Sequence, residues 1–179
     1  ARAMKGSDVY GETIQQIFCA RSNIVEPPKY KNRYSENYIG GGDRGLVDGK
    51  LGSLNFRDGN WQGFWGKNLV ITLELEEGQT VHEVSANFYH YVNSWIFRPV
   101  RFVVAVSDNG VDWPKVGIEK PEIKEESRGK QIVTMKVKLK EPQQPKFVRI
   151  MAWNVNIIPD WHEAAGADAW LFIDEIMIK

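Results

Sequence analysis

Polar and aromatic side chains concentrate in two segments of the sequence, residues 89–98 (YHYVNSWIFR) and residues 153–170 (WNVNIIPDWHEAAGADAW). Sugars present apolar C–H faces beside hydroxyl groups, so a protein that binds them combines flat aromatic rings with planar hydrogen-bonding groups. The two segments predict a sugar-binding site in which Trp95 or Trp161 stacks on the sugar ring. The residues predicted to form this site are His90, Asn93, Trp95, Arg98, Asp160, Trp161 and His162.

Tryptophan in a small β-rich domain also serves as core, and a third aromatic segment, residues 55–66 (NFRDGNWQGFWG), suits that role. The exposure of the rings separates the two interpretations. If Trp95, Trp161 and Arg98 are buried, a structural or docking domain is the better interpretation. The tryptophans for which we expect a structural role are Trp61, Trp65, Trp113 and Trp170.

Residue types found in hydrolytic active sites are present, but not in catalytic patterns. The three histidines lie far apart, and none has the HExxH or Cys/His context of a metal or nucleophile site. The glycine run 40–42 lacks the Lys-Ser/Thr of a phosphate-binding loop. A carboxylate pair for glycoside hydrolysis stays open, because such pairs meet only in space. The carboxylates available for it are Asp160, Glu163, Asp168 and Asp174, and we expect no catalysis by this chain alone.

The composition limits the classes of partner. A chain of 179 residues with 42% hydrophobic content suits one domain with a full core. Basic and acidic residues both total 23, so the formal net charge is zero and no long-range field attracts polyanions. Nucleic acid is therefore not an expected partner, and membrane binding is not expected either. The single cysteine, Cys19, has no internal disulfide partner.

The elements that would position the loops are predicted to be β-strands. Residues 69–75 and 133–139 alternate apolar with polar side chains, and this period of two indicates half-buried antiparallel strands. Many short strands separated by Gly, Pro, Asn and Asp clusters predict an all-β sandwich or jelly roll. Further strands are predicted at residues 83–89, 102–107, 146–152 and 170–178.

The N-terminal part of the chain has a different pattern. Residues 9–20 place three apolar side chains at helical spacing, which predicts a short amphipathic helix. The two prolines that follow lie in a segment typical of a linker or an ordered strap. We expect residues 1–34 to form an N-terminal helix and linker, or the tail of a preceding domain, and residues 35–179 to form the sandwich.

Four motifs in residues 35–179 resemble those of coagulation factor 5/8 type C (discoidin) domains, which include the family 32 carbohydrate-binding modules. The resemblance implies an antiparallel, eight-stranded jelly-roll β-sandwich of the galactose-binding kind, with a non-catalytic carbohydrate-binding function. The motifs are residues 45–53 (GLVDGKLGS), which resemble the DG loop, residues 107–113 (SDNGVDW), which resemble the S-x-DG-x-x-W turn, residues 146–150 (KFVRI), which resemble the A-R-Y-V-R-I strand, and residues 172–176 (FIDEI), which resemble the closing E-I strand.

The same resemblance implies a structural calcium ion where the start and the end of the sandwich meet. Calcium takes ~6–8 oxygen ligands, backbone carbonyls included. The alternative is that residues 48–49 form an ordinary turn and that Glu175 is an exposed strand residue. The ligands that the resemblance implies are the side chains of Asp48 and Glu175, the carbonyls of Gly45, Lys50 and Asp174, and the carbonyl or hydroxyl of Ser53.

Three segments, residues 52–66, 94–100 and 159–176, are similar to modules that end bacterial exo-acting glycosidases, especially the β-hexosaminidases of gut Bacteroidetes. The resemblance implies attachment to the catalytic domain of such a parent enzyme, and a location in the periplasm, at the cell surface or outside the cell. A glycan or monosaccharide would be the ligand. The alternatives are a structural or docking domain that packs against an enzyme or partner protein, and a phospholipid-binding discoidin domain with residues 95–98 as its apolar spike.

Overall fold

Two antiparallel β-sheets face each other in the computed structural model, which describes residues 3–5, 8–10, 16–19 and 23–179. Strands are numbered in chain order and given in spatial order. The five-stranded sheet consists of β10 (Lys115–Glu119), β9 (Arg101–Ser107), β12 (Phe147–Trp153), β7 (Leu69–Glu74) and β4 (Lys29–Tyr30). The four-stranded sheet consists of β11 (Gln131–Gln143), β8 (Val81–His90), β13 (Trp170–Ile178) and β6 (Gln62–Trp65).

Four further short strands lie outside the two large sheets. β1 (Ala3–Lys5) pairs with β2 (Asp8–Tyr10), and β3 (Ile17–Phe18) pairs with β5 (Lys50–Leu51). Two 3₁₀ helices connect strands, one at Gly42–Val47 and one at Val92–Ser94. None of the helices in the described part of the chain has the length and apolar character needed to cross a membrane.

The core lies between the two large sheets and follows the alternation of the strands. Leu73 on β7 and Val137 on β11 are buried, Lys136 is exposed, and Glu74 is half-buried and paired with two lysines. The register inferred from the sequence is therefore confirmed. Each fully buried aliphatic side chain of this kind contributes roughly 1.5–3 kcal/mol to folding.

The predicted sandwich is confirmed, with eight strands of four or more residues in its two sheets. The sequence did not indicate β6 or β10. Both faces of β6 are buried, so its residues do not alternate in polarity. β10 is a short edge strand whose pairing with β9 is interrupted by a bulge.

The predicted N-terminal helix is wrong for the described residues. Val9 and Tyr10 belong to β2, and Ile17 and Phe18 form β3, while residues 11–15 and 20 lie outside the described residues. Ile17 and Phe18 are 62% and 65% exposed. The core therefore makes no contact here that would stabilise the apolar face of a helix. A backbone ladder to β5 is formed instead, and a β-branched and an aromatic residue suit it.

Residues 24–34 form an ordered strap along the five-stranded sheet. Ile24 bridges to Leu75, and β4 pairs with β7. Ile24, Tyr30 and Tyr34 pack against the main core. This part of the predicted N-terminal linker therefore adds an edge strand to the sandwich.

Candidate functional site

An open cleft lined by aromatic side chains lies where loops 37–40, 54–59 and 91–96 meet the start of β13. Two adjoining cavities of about 520 Å³ and 350 Å³ share one wall of four residues. We call this site the aromatic cleft. The shared wall consists of Tyr38, Phe56, Arg57 and Trp170, and Asn93 and Trp95 line the smaller cavity.

Ring-to-ring packing holds the wall of the aromatic cleft in place. The Tyr38 ring centroid lies 5.2 Å from that of Trp170 and 4.6 Å from that of Phe172. Trp65 packs on Trp170 at 4.7 Å and stacks against Trp95 at 6.2 Å, with an interplanar angle of 26°. Rings of this kind have few rotatable bonds, so the wall is organised before any ligand arrives.

The backbone of Trp95 adopts a conformation that bulky residues rarely take. Its φ of 62° and ψ of 21° lie in the left-handed region. Three hydrogen bonds hold the turn: the Trp95 N–H donates to Val92 O (2.8 Å), the Trp170 N–H to Trp95 O (2.8 Å) and the Phe97 N–H to Trp170 O (2.9 Å). Unfavourable backbone states that the surroundings enforce cluster at binding sites. The Trp95 side chain is 38% exposed beside the cleft.

Several polar side chains around the aromatic cleft have hydrogen-bond donors that are not used within the described chain. The Arg57 guanidinium sits 5.3 Å from the Phe56 ring centroid, and no hydrogen bond or ion pair engages it within the described chain. The side-chain amide of Asn93 and the hydroxyl of Tyr38 likewise have no hydrogen-bond partner among the described residues. An aromatic wall beside unengaged donors matches a ligand with apolar C–H faces and hydroxyl groups.

His90 is buried, and the backbone occupies both of its ring nitrogens. The Arg98 N–H donates to Nδ1 (3.1 Å), so Nδ1 carries no proton, and Nε2 then donates to Ser127 O (2.9 Å). Burial, the main cause, and the nearby Arg98 charge lower the pKa of His90 from its ordinary value. His90 was predicted to face sugar hydroxyls; in this structure both ring nitrogens are engaged by backbone groups, and the side chain ties loop 90–98 to loop 120–130.

His162 has the same kind of structural position. Its Nε2 contacts Val92 O (3.0 Å), and its Nδ1 accepts the Ala164 N–H (3.0 Å). The side chain is buried against Phe97. His162 was predicted to bind a sugar hydroxyl; in this structure both ring nitrogens are engaged by backbone groups, and the residue supports the loop that contains Asn93.

Arg98, Asp160 and Trp161 lie apart from the wall of the aromatic cleft. The Arg98 Nε donates to Ile123 O (2.7 Å), and its Nη1 is 4.0 Å from Glu125 Oε2, so the guanidinium is committed to loop 120–130. Asp160 and Trp161 are exposed, and the Trp161 ring packs near Phe97 at 6.0 Å. Of the seven predicted residues, the structure brings Asn93 and Trp95 together in the cleft.

Sequence reasoning missed Tyr38, Phe56, Arg57 and Trp170. Segment 55–66 did carry a signal, since it mixes aromatic rings with Arg, Asn and Asp, but it was assigned to the core. Trp61 is indeed buried, with its Nε1 donating to Ser53 O (3.1 Å). Phe56 and Arg57, earlier in the same segment, line both cavities of the cleft, and Trp61 borders the larger one.

A second cluster, of carboxylates, lies where the loop after the first 3₁₀ helix meets β13. Asp174 and Glu175 are both fully buried, because a β-bulge between Ile173 and Ile176 turns two successive side chains away from solvent. The Gly49 N–H donates to Glu175 Oε1 (3.1 Å), and the Gly52 N–H donates to Asp174 Oδ2 (2.8 Å).

Burial changes the acidity of this carboxylate cluster. It raises the pKa of Asp174 to about 7 and, together with the charges of Asp48 and Asp174, raises that of Glu175 to about 8. Glu175 Oε2 is buried and has no hydrogen-bond partner among the residues that the structure describes. A buried acceptor left without a donor is unfavourable, and a bound cation would satisfy it.

Asp48 lies beside this cluster but is already neutralised. Its Oδ1 accepts the Lys50 N–H (2.9 Å), and its Oδ2 is 2.9 Å from Lys50 Nζ. Within the described part of the chain, no group of three His, Cys, Asp or Glu side chains has metal-binding geometry. The ligand set that the resemblance implies has only two carboxylate side chains, those of Asp48 and Glu175, and would depend for the rest on backbone carbonyls and on Ser53.

No family model and no curated protein matches this chain. Solved structures do match it. The family 32 carbohydrate-binding module of AlyQ, in complex with 4,5-unsaturated mannuronic acid, is 15% identical, with a TM-score of 0.54 over 90% of this chain and 98% of that one. The module CpGH89CBM32-5 from Clostridium perfringens, in complex with GalNAc-β-1,3-galactose, is 12% identical, with a TM-score of 0.50 over 84% of this chain and 92% of that one.

A larger enzyme contains the same fold as one part. A family 29 fucosidase from Ruminococcus gnavus, in complex with fucose, is 12% identical, with a TM-score of 0.50 over 84% of this chain and 24% of the fucosidase. The likeness to these structures shows the fold of the chain, a β-sandwich. The chain has the fold of the family 32 carbohydrate-binding modules, and the predicted fold is confirmed.

The geometry of His90 predicts how loop 90–98 responds to pH. The folded state stabilises the neutral His90 ring with its proton on Nε2, and the pKa of His90 lies below its ordinary value of 6.5. As the pH drops, His90 therefore takes up a proton in the unfolded chain before it does so in the folded one. The free energy of unfolding falls between about pH 6.5 and the lower pKa that His90 has in the folded state. We expect long-range ¹H–¹⁵N NMR spectra to show His90 as the Nε2–H tautomer, titrating below 6.5. A ring protonated on Nδ1 at neutral pH would contradict this.

Proposed function

We propose that this chain is a non-catalytic carbohydrate-binding module and that the aromatic cleft holds a monosaccharide or the terminal sugar of a glycan. The observation that carries the proposal is the stacked pair of Trp65 and Trp95 beside the unengaged donors of Arg57 and Asn93. The modules of the same fold that are in complex with 4,5-unsaturated mannuronic acid and with GalNAc-β-1,3-galactose support it by analogy.

Stacking and directional hydrogen bonds would supply the affinity. A chain with zero formal charge has no long-range attraction for a ligand, so contact interactions decide. A sugar ring would pack its C–H face on the exposed Trp95 indole or on the wall formed by Tyr38 and Trp170. Arg57 and Asn93 would then donate to hydroxyl or ring oxygens.

The cleft is open and shallow, so we expect weak binding, roughly millimolar to high micromolar, which corresponds to about −4 to −6 kcal/mol. Weak binding is sufficient for a module tethered to an enzyme, because linkage raises the effective concentration of the substrate. We propose, from the sequence resemblance, that the parent protein is a glycoside hydrolase of the β-hexosaminidase kind. Export to the periplasm, the cell surface or the medium of a bacterium of the Bacteroidetes type is part of the same proposal.

We also infer a structural calcium ion at the carboxylate cluster. The buried Glu175 Oε2, which has no hydrogen-bond partner among the described residues, supports it, and a bound cation would offset the burial that raises the pKa of both carboxyl groups. The Lys50 ammonium would have to leave Asp48 for that carboxylate to take part. The residues that would hold the ion are Gly45, Asp48, Lys50, Ser53, Asp174 and Glu175.

Trp95 and Trp161 offer a matched test of the sugar site, because both side chains are 38% exposed but only Trp95 lines the cleft. We expect Trp95→Ala to remove measurable binding of galactose, N-acetylhexosamine or fucose glycans, since it removes a stacking platform worth roughly 0.5–1.5 kcal/mol beyond its buried area. Trp161→Ala should bind as the wild type does. Titration calorimetry and a glycan array measure both, with melting temperatures as the folding control.

Two results would refute the aromatic cleft as the sugar site. One is a Trp161→Ala variant that loses binding while Trp95→Ala keeps it. The other is a wild-type protein that binds none of these glycans at millimolar concentration. The second result would favour a domain that packs against an enzyme or a partner protein.

Removal of calcium tests the carboxylate cluster. A ligand that binds only the folded state stabilises that state by about 2.7 kcal/mol when its free concentration is about 100 times its dissociation constant. We therefore expect EDTA to lower the melting temperature of the wild type and calcium to restore it. Glu175→Gln should melt at the same temperature in both conditions, whereas Glu74→Gln, a surface control, should respond as the wild type does. Equal melting of the wild type in EDTA and in calcium, with no metal in the purified protein, would contradict the inference.

A further inference from the structure

Two arginine–tryptophan pairs lie on the outer face of the five-stranded sheet, away from the aromatic cleft. The Arg149 Cζ is 3.7 Å from the centroid of the Trp113 ring, and the Arg101 Cζ is 4.0 Å from that of Trp153. We call this surface the arginine strip. It borders a shallow cavity of about 370 Å³, and its floor is formed by the apolar side chains of Val103, Ala105 and Met151.

The strip follows from the pairing of β9 with β12. Arg101 lies opposite Trp153, and Ala105 lies opposite Arg149, with Val103 and Met151 opposite each other between them. Alternate residues of these strands face the core, so the remaining ones share the outer face. Arg149 and Trp153 are four residues apart on β12, about 13 Å at ~3.3 Å per residue. The two cations therefore stand at opposite ends of an apolar floor.

No carboxylate neutralises either arginine within the described part of the chain. The Arg149 Nε donates to Thr72 Oγ1 (3.3 Å), and the Arg101 guanidinium makes only its ring contact. Glu74, the carboxylate on the outer face of β7, already pairs with Lys29 at 3.9 Å and with Lys146 at 3.6 Å. A guanidinium stacked on an indole keeps its edge N–H groups available, and these donors match carboxylate and sulfate oxygens.

We propose that the arginine strip is a second binding surface, for glycans whose carboxylate or sulfate groups contact Arg101 and Arg149 while a sugar ring rests on the apolar floor. The inference rests on the proposed carbohydrate-binding function and extends it to a class of ligand. An extended acidic peptide fits less well, because β9 and β12 are hydrogen-bonded to strands on both sides. Neither of these two strands therefore offers a free edge to which a peptide backbone could add.

A hexamer of galacturonic acid tests the charge requirement, with its fully methyl-esterified form as the neutral control. We expect Arg149→Gln and Arg101→Gln each to weaken acid-hexamer binding by about tenfold, as the loss of a charge-assisted contact does. Arg149→Lys keeps the charge but loses the planar fork, so it should bind more weakly than the wild type. Lys138→Gln, which removes an exposed cation from the other sheet, should change affinity by less than about twofold.

Titration calorimetry measures the affinity of each variant for the two hexamers. The inference is overturned if the esterified hexamer binds as tightly as the acid, if Lys138→Gln weakens binding as much as Arg149→Gln does, or if hexaglutamate binds as tightly as the uronate. Neutral-sugar binding that Trp95→Ala removes, without any binding of the acid hexamer, refutes the strip and leaves the aromatic cleft. Acid-hexamer binding that Arg149→Gln weakens, without any neutral-sugar binding, refutes the cleft and leaves the strip.

Discussion

The burial of two adjacent carboxylates, Asp174 and Glu175, constrains much of the structure. Burying ionisable groups is unfavourable unless donors or cations satisfy them. The bulge in β13 turns both side chains inward, and the N–H groups of Gly49 and Gly52 bind them. A turn near the start of the sandwich is thereby attached to the strand that ends it. Within the described chain, Glu175 Oε2 remains without a donor, and a bound cation would satisfy it.

The same strand links this cluster to the aromatic cleft. β13 pairs with β8 on one side and with β6 on the other, so its position in the sheet is fixed along its length. Its first residue, Trp170, is part of the wall of the cleft, and its backbone hydrogen-bonds to Trp95 and Phe97. Rigid strands thus hold the aromatic wall, while the loops around it supply the polar groups. A site organised in this way loses little conformational entropy when a ligand binds.

The fold could be predicted from the sequence because alternating polarity and turn residues mark most of the sandwich strands. It failed where those signals are absent, as in β6, which is buried on both faces, and in residues 17–18, where apolar spacing suggested a helix. The cleft was only partly predictable. Tyr38, Phe56 and Trp170 are distant in sequence and meet only through the topology. The position of His90 could not be predicted either, because residue type does not reveal that backbone groups engage both ring nitrogens.

The central claim is that sugars bind at the aromatic cleft, and NMR spectra of the seven tryptophan indole N–H groups test it most directly. During titration with a monosaccharide that binds, the account predicts that the signals of Trp65, Trp95 and Trp170 move. The signal of Trp113 should stay in place, because this residue lines neither cavity of the cleft and its indole N–H is held by Gly110 O. Shifts at Trp161 with unchanged signals from Trp95 and Trp170 would contradict the account.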